Sequence, residues 1–298
     1  MNPAFSVIFF TTAAGAGYGL VCLLSLLLPD LVAQDRLQVL LGYALGTTLF
    51  TAGLLSSTLH LGHPERAWRA FSQWRSSWLS REGVLAVLVY PPLLGLCWLV
   101  FTGGSADGLL QALRVACVVL PLATVFATGK IYASLKAIPE WHLPSVTPNY
   151  LLLALMSGGL VLAALGFSLP QGLLPTLVVA AALGKGWHWR QMAALGAVGG
   201  PGVATGLGHL GTVSVLAQPH TEPNYLQKEM GFRLARKHAL KLRRIAAVAL
   251  FGVPLAGSLA GGTLGALLAL PALGLGLLVE RWLFFAEARH VVMGYYGA

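Results

Sequence analysis

Charge is scarce in this chain, and negative charge scarcest. Ten Asp and Glu stand against nineteen Lys and Arg, and the four types together make up only 10% of the 298 residues. Soluble domains carry roughly 25%, so a soluble globular architecture is excluded. Cysteine is equally sparse. Cys22, Cys97 and Cys117 lie singly inside apolar runs, and neither CxxC nor CxxCH occurs, which leaves iron–sulfur clusters and covalent haem without ligands. We read the three as small core residues. HExxH, GxSxG and the P-loop are missing as well, so no metal or nucleophile constellation is expected. An internal haem b needs two facing His within spans. Of the eight His only His60 ends a span, while His63, His142, His188, His209, His220, His238 and His290 read as loop or end residues, and no haem is expected.

What fills the chain is hydrocarbon. Hydrophobic residues make up 56% of it, in recurring runs of about 20 residues, each long enough to cross a bilayer. The first run begins almost at Met1 without a basic n-region or a small-residue cleavage motif and reads as a retained span. The pattern predicts an all-α polytopic membrane protein, a single integral membrane domain over 1–298. Its eight transmembrane helices form a bundle, with spans near 5–28, 37–60, 82–101, 111–135, 149–169, 171–186, 245–261 and 263–286. The connection 187–244 lies outside the membrane. Pro91, Pro92, Pro121, Pro254 and Pro271 sit within spans, where neighbouring helices can satisfy the carbonyls they free.

An even number of spans puts both termini on one side, and the cations choose which. All of the nineteen Lys and Arg except Arg36 and Arg114 fall on the face that holds the termini, the 61–81 loop, the end of span four and the 187–244 connection. The positive-inside rule makes that face cytoplasmic. The net charge of +9 is thereby assigned to membrane lipids and a protein partner, with no nucleic acid. Two segments on this face read as amphipathic surface helices. Residues 64–79 repeat Trp68, Phe71, Arg75 and Trp78, and residues 225–244 alternate Leu and Met with a dense basic side; either suits the interface or a docking surface for another subunit.

Proton-capable side chains gather at the same edge. His60 closes span two and Glu82 opens span three; Lys130 and Tyr132 end span four, and Glu280 and Glu287 end span eight. Quinone reduction consumes two electrons and two protons, so its site needs hydrogen-bond partners for both ring oxygens and a titratable carrier that reaches water. Ionisable groups at membrane depth are functional candidates by default, which puts His60 and Glu82 first. A structural role competes at each position. Glu82 suits a helix N-terminus after Ser80 as cap, His60 an interfacial anchor, Lys130 snorkelling, Tyr132 the aromatic belt, and Glu280 with Arg281 a local structural arrangement.

Four stretches together resemble the membrane anchor subunits of dimethyl sulfoxide reductase-type molybdenum enzymes. They are LHLGHPERAW with SRE after it, KIYASLKAIPEWHLPSVTPNY, NYLQKEMGFRLARKHALKLRRIA and ERWLFFAEARHVVMGYYG. The resemblance covers essentially the whole chain. It implies an eight-helix subunit without prosthetic groups that docks an iron–sulfur electron-transfer subunit, which in turn carries a molybdopterin catalytic subunit. Molybdopterin and iron–sulfur clusters then belong to the partners, and ubiquinone or menaquinone is an exchangeable substrate. A His before the loop and a Glu after it, associated with menaquinol in that family, match His60 and Glu82; Lys130 and Tyr132 are expected to orient the ring.

The cation distribution departs from the periplasmic-facing members. It resembles the branch with cytoplasmic active sites, the membrane-bound sulfite-oxidising enzymes of sulfur-oxidising bacteria, in which electrons run from sulfite to quinone. A menaquinol-oxidising anchor with periplasmic catalytic subunits is the rival within the class. A transporter is the rival outside it; such proteins place charged groups or broken helices near the midplane, whereas nearly every charge here lies at an edge.

Overall fold

The computed structural model describes residues 4–59, 63–104, 107–196, 200–214, 216, 222 and 234–296. Among these, helix is the only regular element. The long helices are α1 (Phe5–Leu26), α3 (Arg36–Thr58), α6 (Asp107–Ala133), α7 (Val146–Ala164), α8 (Leu173–Ala194) and α12 (Gly262–Ala286). Short α2 (Leu28–Gln34) and α9 (Pro201–Ala204) lie between them. Two further spans are jointed: α4 (Trp78–Leu88) with α5 (Tyr90–Thr102), and α10 (Leu234–Ala247) with α11 (Val253–Ala260). Each joint has a proline behind it. Pro91 and Pro92 cannot donate to the preceding turn, and α4 gives way to α5 at Val89. Pro254 follows a π-turn over Val248–Gly252, against which Gly276 of α12 packs so closely that a Cβ there meets the Leu250 nitrogen at 2.8 Å.

Among the described residues seven helical segments are long and apolar enough to cross a membrane, and the chain is a multi-pass membrane protein. The predicted sixth span, α8, has 22 residues, about 33 Å of helix, but its second half carries Lys185, His188 and Arg190 and falls below the apolar standard of the others. It nevertheless runs between the same two edges. At one edge Ser56 of α3 bonds the Ser6 carbonyl at 3.0 Å, and Ser145, before α7, bonds His188 of α8 at 2.9 Å. At the other, Gln34 meets the Ser168 carbonyl at 3.2 Å, Gln38 meets that of Leu165, and Arg114 caps the end of α1 at the Ser25 and Leu26 carbonyls.

The predicted boundaries shift in instructive places. Span three starts at Trp78, four residues ahead of Glu82, so Ser80 is no cap. It lies inside α4, where its hydroxyl bonds the Ala70 carbonyl. The helix predicted over 64–79 is instead a 3-10 helix over Pro64–Gln73, with a break before α4. Of the predicted 225–244 helix, the stretch from Leu234 is described and runs on into the seventh span, and 223–233 lies outside the described residues. Within the predicted connection 187–244, α8 continues as far as Ala194 and α10 begins at Leu234.

α1 is the central rod, buried over most of its length and packed between α3, α6 and α7. Small residues permit that. Tyr18 stacks on Phe50 of α3 with ring centroids 4.7 Å apart, and Gly19 of α1 crosses Gly158 of α7 backbone to backbone, the close approach by which membrane helices associate where no hydrophobic drive separates them from lipid.

Candidate functional site

The first edge holds nearly all the buried charge. Four acidic side chains there are almost wholly buried: Glu82 at 4%, Glu140 at 3%, Glu280 at 1% and Glu287 at 8% exposure. Three have basic partners. Glu140 accepts from the Nε and the backbone N–H of Arg289, and Glu287 from Arg243 at 3.0 Å. Glu280 lies between Lys185 of α8 and the neighbouring Arg281. These three are paired in the way buried charges must be. Glu82 has no basic partner among the described residues. Its carboxyl meets the hydroxyl of Thr128, one helix away on α6.

That hydroxyl has one hydrogen and two acceptors, Glu82 and the Thr124 carbonyl at 3.0 Å. When Glu82 is a carboxylate the hydrogen belongs to Glu82. When Glu82 is protonated it becomes a donor itself, and the Thr128 hydrogen turns to Thr124. The pair accommodates either protonation state without leaving a buried group unmet. The segment over Glu82 is fastened down. Arg81 bonds the Trp74 and Arg75 carbonyls at 3.0 and 2.6 Å, and the Phe71 ring lies against Gly83, at 3.3 Å from where a Cβ would stand.

The other expected site residues fall in different places. Tyr132 enters an aromatic cluster with Trp141, Tyr150, Phe284 and Phe285, its ring stacking on Tyr150 at 5.8 Å. Four residues on from Thr128, it shares that face of α6. Lys130 leaves α6 about 200° away. It lines an open groove of about 500 Å³ with Phe126, His142, Leu143 and Pro144, its Nζ 5.5 Å from the centre of the Phe126 ring. The structure therefore groups Glu82, Thr128 and Tyr132 along one side of α6 and sets Lys130 apart. His60 lies outside the described residues.

Two groups escaped the sequence reading. His188, expected in a loop, is inside α8, 2% exposed and bonded to Ser145. Glu280 and Arg281, expected as a local arrangement, join Lys185 across a sequence separation of 95. Arg281 also stacks over Tyr150 at 4.2 Å. The available signal was spacing. Lys185, His188 and Trp189 fall at i, i+3 and i+4 of α8, one face that needs a buried partner. Among the described residues no group of three or more His, Cys, Asp or Glu could hold a metal ion.

Comparison with known proteins gives a consistent picture. The model of the family described as DMSO reductase anchor subunit (DmsC) matches residues 1–183. The C subunit of sulfite dehydrogenase from Allochromatium vinosum is 34% identical over 99% of both sequences. The C component of the anaerobic dimethyl sulfoxide reductase of Escherichia coli is 29% identical over 57% of this protein and 61% of its own length. The anaerobic dimethyl sulfoxide reductase component YnfH of the same organism is also 29% identical, over 44% and 46%. No solved structure matches.

Proposed function

The chain belongs to the DMSO reductase anchor subunit family and is a membrane anchor of an oxidoreductase complex, and from that premise we propose that it is the quinone-reactive anchor of a sulfite-oxidising enzyme. The full-length similarity to the C subunit of a sulfite dehydrogenase and the cation-rich face holding both termini support this direction. Electrons arrive from the cluster of an iron–sulfur partner, itself reduced by a molybdopterin subunit. At the cytoplasmic edge of the inner membrane a ubiquinone or menaquinone takes two electrons and two protons. Glu82 supplies protons, His60 shares that work, and Tyr132 helps position the ring.

The observation that carries this reading is a buried carboxyl that no cation meets among the described residues. A buried carboxylate kept for structure has a cation beside it, as Glu140, Glu280 and Glu287 do. Among the described residues Glu82 has only a swivelling hydroxyl, an arrangement suited to a group that gains and loses a proton. The test is made on the complex purified from its own membrane with its partners. Sulfite is expected to drive reduction of a short-chain ubiquinone, and a reporter fused at Ala298 is expected to lie in the cytoplasm. Turnover of dimethyl sulfoxide in place of sulfite, or a periplasmic reporter, overturns the sulfite reading.

A second seat for the ring is favoured by the groove at Lys130, whose volume is that of a small-molecule site. Lys130→Met separates the two. With the ring at Glu82, Lys130 guides approach from the lipid side, so KM for the short-chain quinone is expected to rise about tenfold, the worth of one charge-assisted hydrogen bond, with kcat held within about a factor of two. A loss of kcat matching that of a Glu82 variant, measured by steady-state kinetics, places the ring in the groove.

A further inference from the structure

Thr128 has another neighbour besides Glu82. It lines a cavity of about 20 Å³ between α1, α6, α7 and α12, together with Tyr18, Gly15, Ala154, Tyr150 and Arg281. A water needs roughly 10–15 Å³ of such volume and two to four polar partners. The room is there, and so are the partners. The hydroxyl of Tyr18 is fully buried and finds no hydrogen-bond partner among the described residues, although buried hydroxyls are nearly always satisfied. The hydroxyls of Thr11, Thr12 and Ser157 are already committed to carbonyls of their own helices. Arg281 gives its Nε to Glu280, and its guanidinium has further N–H donors.

Resting on the quinone reading of Glu82, we propose that this cavity seats an ordered water, held by Tyr18 and Arg281, that returns a proton to Glu82 through the Thr128 hydroxyl. The balance is simple. Glu82 gives its proton to a quinone oxygen as the ring takes electrons from the partner's iron–sulfur cluster. The carboxylate takes the hydrogen of Thr128, the water gives one to Thr128, and the hydroxide this leaves takes a proton from bulk cytoplasmic water on the side of the paired Arg281, Glu280 and Lys185, which keep their own. That cluster neighbours His188 and Ser145 at the cytoplasmic edge, so the proton comes from the face on which the electrons arrive. Arg281 keeps its charge throughout and acts by orienting the water. Tyr18 is a positioning residue.

Two substitutions test the water without touching Glu82. Tyr18→Phe removes one oxygen and leaves the stack on Phe50. Gly15→Ala adds a methyl whose nearest neighbour is the Ala154 Cβ at 4.0 Å, an ordinary contact, on a helix that favours Ala; the methyl takes up the room a water needs. Quinone-linked turnover is measured in the assembled complex and normalised to reduction of a soluble dye that draws electrons from the iron–sulfur partner directly. Both variants are expected to lower kcat about tenfold with KM unchanged, and to raise the solvent deuterium isotope effect on kcat to at least about twofold as reprotonation becomes limiting. If both keep the parental kcat and isotope effect, the proposal is overturned. Lower kcat with an unmoved isotope effect also overturns it, since packing damage alone does that. If the parental complex fails to reduce quinone at all, the quinone reading itself has failed.

Discussion

Glu82→Gln is expected to reduce electron transfer to a short-chain quinone at least about 100-fold, while the complex assembles and its partners still reduce a soluble dye. Glutamine has the shape of glutamic acid and can keep the contact with Thr128, so little packing is lost. What is lost is the proton. General acid–base catalysis contributes roughly 10²- to 10⁴-fold, and the low end of that range is about 2.7 kcal/mol of barrier. The effect is expected in kcat, with KM nearly unchanged, because the missing group acts in the proton-transfer step rather than in docking. Glu280→Gln gives the useful contrast. It strands Lys185 and Arg281, both buried, and loss of one partner of such a cluster costs about 3–5 kcal/mol. That variant is expected to accumulate poorly and to lose dye and quinone activity together. Steady-state turnover of Glu82→Gln equal to that of the parent makes Glu82 a structural acid and removes the centre of the proposed site.

The contrast between these two glutamates marks how far a single sequence can be read. Each lies in or beside an apolar run, and each can be picked out as an ionisable group at membrane depth. Their difference lies in what faces them. Lys185 reaches Glu280 from another helix, and nothing local in either segment encodes that pairing. The spans themselves were legible, because about 20 apolar residues are needed to cross hydrocarbon wherever they occur. Their ends were less so. Ser80 and Arg81 interrupt the apolar run, yet α4 begins at Trp78, since Arg81 satisfies the carbonyls of the preceding turn and caps it from outside. α8 shows the opposite case. Its Lys185 and His188 argue for water by composition, and the fold buries both by giving each a partner. Lys130 and Tyr132, both expected to orient the ring from the end of span four, are two residues apart, and on a helix that separation points them in nearly opposite directions.

Gly19→Ala is the second substitution with a large expected effect, and it acts on the scaffold. A Cβ at Gly19 stands 1.8 Å from the Ala154 carbonyl oxygen and 2.5 Å from its carbon. Both are backbone atoms of α7, which have no rotamer to swing aside, and α1 and α7 must part. Reciprocally, a Cβ at Gly158 stands 2.2 Å from the Gly19 carbonyl carbon. Inserting a methyl into a well-packed interior typically costs about 1–3 kcal/mol where side chains adjust; at a backbone crossing of the central rod we expect about 3 kcal/mol or more. The neighbouring Ala154 and Tyr18 line the cavity beside Thr128, so the proposed proton path is disturbed along with the packing. Gly274→Ala on α12 is the control. Nothing lies within 4 Å of its added methyl, and the gain in helix propensity of up to about 1 kcal/mol should leave that variant as stable as the parent or more so. The measurement is thermal aggregation of the detergent-solubilised complex together with the amount recovered in membranes. Gly19→Ala is expected to melt well below the parent or fail to accumulate, whereas equal stability of the two variants would show that α1 and α7 do not cross this closely.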